Sequence, residues 1–214
     1  CTAPQEAGVL GAGFRTSAEY AALANGTTSH STELEDDSPD ITCSSVGIFP
    51  AVFAFGEKLH ISGKEVIEAF VIAWDISEKL ALPAMRILAV RGMGPYSGTT
   101  GIAASSAKMM KLDLNKTTMA VSIAASHTNW CILSQTGTGA HLYEWGLAGR
   151  NGIAAAMLAM YGLTGQPDIL ESPRGYLHGV AGEVYQLPKL GKPYLAKNIG
   201  IKKYPCCFLE MHII

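Results

Sequence analysis

His30 is followed closely by four carboxylates, in the run Asn25-Gly26-Thr27-Thr28-Ser29-His30-Ser31-Thr32-Glu33-Leu34-Glu35-Asp36-Asp37. Acids at this spacing repel one another unless solvent, a cation or a cationic ligand group offsets them. A solvated acidic loop meets that requirement, and so does one wall of a site. The flanking segments are apolar and alanine-rich, which puts the loop at the rim of a core. Two further side chains could complete such a site. His141 lies between Thr136-Gly-Thr-Gly-Ala140 and Tyr143-Glu144. That is a loop able to present an imidazole, which titrates near neutral pH, to a cleft; a loop histidine with no role is the alternative. Lys202, in Ile199-Gly-Ile-Lys-Lys-Tyr-Pro205, sits where the composition changes. It is either a cation for a substrate carboxylate or a solvated lysine, and the residues alone leave both open.

Other candidates are weaker. His60, His127 and His178 read as helix-end or surface histidines. Cys206, Cys207 and His212 lack a second pair of ligands, so no metal site is expected. There is no P-loop, HExxH, paired CxxC or GxSxG motif.

The 214 residues are 48% hydrophobic and 16% charged with a net charge of −2, which excludes a disordered chain. Without a Lys/Arg run there is no nucleic-acid footprint. The apolar run 66–82 is broken by Glu68, Asp75, Glu78 and Lys79, so it predicts a buried helix and no membrane span. Five cysteines without framework spacing predict reduced thiols in an intracellular protein, cytoplasmic or, if eukaryotic and of full length, mitochondrial. The opening at Cys1, with no methionine, is read as that of a fragment.

Helices must position the candidate groups. Thr16 or Ser17 is the expected cap of a helix over 18–24, stopped by Asn25-Gly26. A second helix is predicted over about 44–59, with Pro50 kinking it or in its first turn. Ser62-Gly-Lys-Glu65 is a capping box that opens a third, with Ile67, Phe70, Val71 and Trp74 on one apolar face and Ala69, Ala73, Ile76 and Leu80 on the neighbouring one, so most of its circumference should be covered. Asp75 and Lys79 are expected to form an exposed i,i+4 pair of minor value. Further helices are predicted over 98–112, 116–127 and 145–161, the first and last rich in small residues. A turn-rich tail then leads to a short strand near Ile199–Ile201, with a domain boundary near residue 190.

Taken together, four phrases resemble one family. The loop Ala21-Ala-Leu-Ala-Asn-Gly-x-x-x-His-x-x-Glu-Leu-Glu-Asp-Asp37 resembles the signature of the MmgE/PrpD family. Its members include 2-methylcitrate dehydratase, cis-aconitate decarboxylase and iminodisuccinate epimerase. Gly98-Thr-Thr-Gly-Ile-Ala-Ala-Ser-Ser-Ala-Lys-Met-Met-Lys-Leu112, the segment from Gly149 to Gly165 with Ile169-Leu-Glu171, and Ile201-Lys-Lys-Tyr-Pro-Cys-Cys207 follow in family order.

The resemblance implies a mainly α fold. Residues 1–190 would form part of the all-helical domain and 191–214 the beginning of a smaller α+β lid, with the active site in the cleft between. It also implies a homodimer at full length and a small carboxylate substrate, with no metal or organic cofactor, nucleic acid or membrane partner. By resemblance, Glu33 stands where decarboxylase-like members carry an aspartate, and Asp37 where they carry a threonine. Lys202 matches the lid-edge lysine. Cys43 and Cys207 take places that are histidine in some members, a further histidine corresponds to Gly92 or its neighbours, and His141 replaces a lysine.

The reading that follows is a lyase or isomerase that removes a proton or CO2 next to a carboxylate of a small di- or tricarboxylic acid. His141, Lys202, Glu33 and Asp37 would be catalytic, with Lys202 holding a substrate carboxylate. His30, Asp36, Cys43 and Cys207 would line the substrate. Because an unpaired acidic cluster would repel an anionic substrate, some of these carboxylates should bond to backbone or to His30 instead. The competing reading is a truncated, non-catalytic remnant that keeps only helical-domain or dimer contacts.

Overall fold

The computed structural model describes residues 3–38, 43–85, 93–94, 98–128, 131–182 and 187–207. The chain is mainly α-helical. A small hairpin of β1 (Ala7–Val9) and β2 (Phe14–Thr16) precedes α1 (Ala18–Ser29). The strand β3 (Asp36–Asp37) leads to α2 (Ser45–Leu59) and α3 (Gly63–Ala81). After β4 (Met93–Gly94) come α4 (Gly98–Met109), α5 (Leu114–Ala125), β5 (Cys131–Ile132), α6 (Gly139–Met160) and α7 (Tyr176–Ala181). The strand β6 (Gly200–Ile201) pairs antiparallel with β3, Asp36 opposite Ile201 and Asp37 opposite Gly200. Among the described residues no helix is long and apolar enough to cross a membrane.

The core is built on small residues. Helix α6 packs against α1, α2, α4 and α5 through buried Ala148, Ile153, Ala155, Ala156 and Ala159. Alanine and glycine at the contacts let helix axes approach closely. At the α1–α6 crossing, a Cβ on Gly26 would lie 2.7 Å from the Gly146 Cα, and one on Gly146 would strike the Leu23 carbonyl.

That crossing explains the first departure from the expected helices. Asn25-Gly26 does not stop α1, which runs on to Ser29. Asn25 is buried and clamps the hairpin, its Nδ2 donating to Gly8 O at 3.0 Å and its Oδ1 accepting from Leu10 N at 2.9 Å. Thr27 and Thr28 hydroxyls donate back to the Leu23 and Ala24 carbonyls. The Ser29 hydroxyl ties the last turn to Val46 O. Ser17 occupies the N-cap position without a side-chain cap bond. Glu6 does that work from the hairpin, its carboxylate accepting from Ala18 N.

In α3 the capping box forms as expected, Ser62 and Glu65 bonding reciprocally. Of the two faces expected to be covered, Ala69, Ala73 and Leu80 of one and Trp74 of the other are buried, whereas Ile67 is 66% exposed. Asp75 and Lys79 are not an exposed pair. Both are buried, 2.9 Å apart, and they bind the tail. Asp75 accepts from Gly191 N at 2.7 Å and Leu195 N at 3.1 Å. Lys79 donates to Lys189 O at 2.7 Å and Pro193 O at 2.9 Å. This pair pins the segment 189–195 to α3, and the chain continues directly into β6.

Candidate functional site

His30 terminates α1 and is 1% exposed. The chain then turns sharply, and Glu33 takes a left-handed backbone conformation (φ 53°) that costs a non-glycine residue about 1 kcal/mol or more. The turn directs the Glu33 carboxylate back to the His30 ring, Oε1 lying 3.2 Å from Nε2. On the other edge of the ring, Glu35 Oε1 is 3.2 Å from Nδ1. The imidazole is thus held between two carboxylates.

The β3–β6 ladder supplies the balancing cation. By setting Ile201 opposite Asp36, it carries Lys202 to the acidic turn. Lys202 is buried, and its Nζ donates to Glu33 Oε2 at 3.0 Å and to Glu35 Oε1. Burial alone would lower the lysine's pKa; the two carboxylates outweigh it and drive the pKa up, so the ammonium is permanent. Burial likewise pushes the Glu35 carboxyl up, but His30, Lys202 and its own backbone together hold it below the usual range. Lys202 is therefore engaged by protein carboxylates rather than open to a substrate, because buried Glu35 and partly exposed Glu33 would otherwise face each other unpaired. The expected contact of acids with His30 is present at Glu33 and Glu35.

His141 comes to this cluster from α6. It lies in the first turn of that helix, after Thr138 at the N-cap position, and not on a presenting loop. Its ring stands edge-on to His30 with centroids 5.1 Å apart, and Trp145, one turn on, packs against both rings. Glu144 Oε2 is 3.7 Å from His141 Nδ1. Burial, and then the charge of His30, lower the His141 pKa below its ordinary 6.5, against the opposing pull of Glu33 and Glu35. The ring is a neutral imidazole at neutral pH.

The remaining predicted residues divide. Asp36 faces away from the histidines, its Oδ1 accepting from Ser45 Oγ at the start of α2. Asp37 is buried, and burial raises its pKa to about 6 despite the nearby Lys202. Cys43 lies near the cluster; burial and the carboxylates of Asp37, Glu35 and Glu33 push its thiol up, so it carries no thiolate. No polar contact ties half-buried Cys207 to the cluster among the described residues. Gly92 and His212 lie outside the described residues. Glu35 and Trp145 were not anticipated. Glu35 carried no local signal of its own, because Glu33 stands in a left-handed turn and the extended strand begins only at Asp36. Trp145 has only its i+4 spacing from His141.

The comparison with known proteins agrees with this architecture. A family model for the MmgE/PrpD N-terminal domain matches residues 1–186. A cis-aconitate decarboxylase of Mus musculus is 30% identical over 170 residues, which cover 76% of this chain and 35% of that protein. Its counterpart in Homo sapiens is 30% identical over 164 residues, 73% of this chain and 34% of that protein. A cis-aconitate decarboxylase-like protein of Aspergillus oryzae is 26% identical over 220 residues, 92% of this chain and 45% of that protein. The chain thus spans between about a third and a half of the length of these relatives. With its helical architecture and the match over nearly its whole length, the chain belongs to the MmgE/PrpD family.

Proposed function

We propose that the His30–Glu33–His141–Lys202 cluster is the proton-handling end of a lyase or isomerase site for a small di- or tricarboxylic acid. The observation that carries this reading is the buried His141 ring packed edge-on against His30, whose carboxylate partners are held by the Lys202 ammonium. Deprotonation next to a carboxylate, or loss of CO2 from that position, builds negative charge on the neighbouring carbon and carboxylate. A neutral imidazole takes the proton and, as the imidazolium so formed, returns it, and the cation stabilises the developing charge.

In this reading Glu33 is the adjustable member. Its side chain is 27% exposed, the most open of the four. A substrate carboxylate that displaced Glu33 from Lys202 would reach the ammonium without uncovering Glu35. Decarboxylation is favoured over dehydration or isomerisation because the relatives described above are cis-aconitate decarboxylases or decarboxylase-like.

Turnover of cis-aconitate, 2-methylcitrate and iminodisuccinate followed by NMR on the 214-residue chain tests the proposal. Conversion of one of them is expected, with His141→Ala slowing it by about a hundredfold or more. Histidine C–H resonances recorded with each acid give a second readout, and His141 should shift on binding. An unchanged rate in His141→Ala, or no binding and no conversion of any of the three, overturns the reading.

A further inference from the structure

We propose that His30, Glu33 and His141 form a three-ligand site for a zinc-class divalent cation, with Glu35 orienting His30. The proposal rests on the cluster's geometry and not on the reaction proposed above, with which it competes for His141.

Potential ligand atoms of these three side chains all lie within 4.8 Å of one another. Two imidazoles and one carboxylate suit a borderline cation such as Zn2+, and three protein ligands leave a fourth position open. The surroundings match what a metal-bound histidine needs. His30 is 1% exposed, and neither ring nitrogen makes a hydrogen bond of good geometry. Its Nδ1 nevertheless lies 3.2 Å from Glu35 Oε1, the relation in which a carboxylate holds the Nδ1 proton and leaves the Nε2 lone pair for a metal. Nε2 in turn faces Glu33 Oε1 at 3.2 Å.

Lys202 does not occupy this position. It bonds to the other oxygen of Glu33, Oε2, and to Glu35, so Glu33 bridges the ammonium on one oxygen and offers the other to the ion. Glu33 is also the partly exposed member, which gives the ion its approach from solvent. An ion held there would occupy His141, and metal binding and proton transfer by that imidazole would exclude each other.

Isothermal titration of the metal-stripped 214-residue chain with Zn2+, together with visible spectra of the Co2+ form, tests the site. One ion per chain is expected, with an intense tetrahedral Co2+ spectrum free of thiolate charge transfer. His141→Ala should weaken Zn2+ binding by about a hundredfold, and Glu35→Gln by about tenfold. Cys43→Ser and the Cys206→Ser/Cys207→Ser pair should bind like the parent. If circular dichroism shows His141→Ala unfolded, Glu33→Gln, in the partly exposed turn, carries the same expected loss. The absence of saturable binding would overturn the proposal, as would undiminished affinity in a folded His141→Ala or Glu33→Gln chain. A thiolate band lost in Cys43→Ser would overturn it in favour of the neighbouring His30, Glu35 and Cys43 set.

Discussion

The His141 ring meets the His30 ring edge to face, 5.1 Å between centroids, because the helices that carry them cross at Gly26 and Gly146. His30 lies one turn beyond Gly26 on α1, and His141 lies just over one turn before Gly146 on α6. The interhelical distance at the glycines sets the distance between the imidazoles.

Gly146→Ala should therefore damage both the fold and the site. Its methyl group would be driven into the Leu23 carbonyl and the Thr27 amide nitrogen, backbone atoms of the facing helix that cannot rotate away. A loss of about 2–3 kcal/mol is expected in denaturant unfolding, along with loss of the His30–His141 contact in NMR spectra. Gly139→Ala is the control. Nothing lies within 4 Å of its Cβ position, and α6 should be unchanged or slightly more stable.

Lys79→Met should cost about 3–5 kcal/mol, far more than an exposed ion pair would, because it leaves Asp75 charged and buried. Asp75 accepts from the 191 and 195 amides, so the tail should loosen with it. Faster amide exchange over 189–202 would report this. Slow exchange there together with a loss under 1 kcal/mol would contradict the anchoring role.

Asp37 makes stability depend on pH in a defined direction. Its folded pKa, about 6, exceeds the ordinary 3.8, so the folded state keeps a proton that the unfolded state has released. The stabilisation is complete below 3.8 and is lost as pH rises through about 6. Asp37→Asn removes the buried charge and should stabilise the chain by up to about 3 kcal/mol at neutral pH. The gain should be nearly absent at about pH 4, as read from thermal unfolding at the two values.

Lys202→Met should show the opposite dependence. Glu35 has a depressed pKa, so its contribution is present above the ordinary 4.5 and is lost as pH falls through the folded value. Removing its cation should cost about 3–5 kcal/mol near neutrality, because two carboxylates would then flank His30 unpaired. The cost should shrink in acid as Glu35 protonates. A penalty equal at all pH values would mean that Lys202 acts by packing alone.

Local pattern was enough for much of the helical framework. The capping box at Ser62 and Glu65, the proline-bearing α2 and the small-residue helices α4 and α6 all follow from short-range periodicity and propensity. The errors fell where a distant partner overrode a local signal. Asn25-Gly26 has the composition of a helix stop, yet it lies inside α1 because the hairpin and Gly146 satisfy it. Asp75 and Lys79 have the spacing of a surface pair, yet the 189–195 carbonyls and amides bury them.

For the site, local composition was enough to pick out the residue types: the histidine among acids after α1, the imidazole at 141 and the lysine at 202. Charge repulsion also required that the acids find partners. Only the tertiary structure decided which partners these are. Lys202 reaches Glu33 and Glu35 through the β3–β6 ladder, and His141 reaches His30 through the glycine crossing of α1 and α6. Both are contacts between segments far apart in the chain. Their energies depend on burial and distance, which composition and spacing along one segment do not contain.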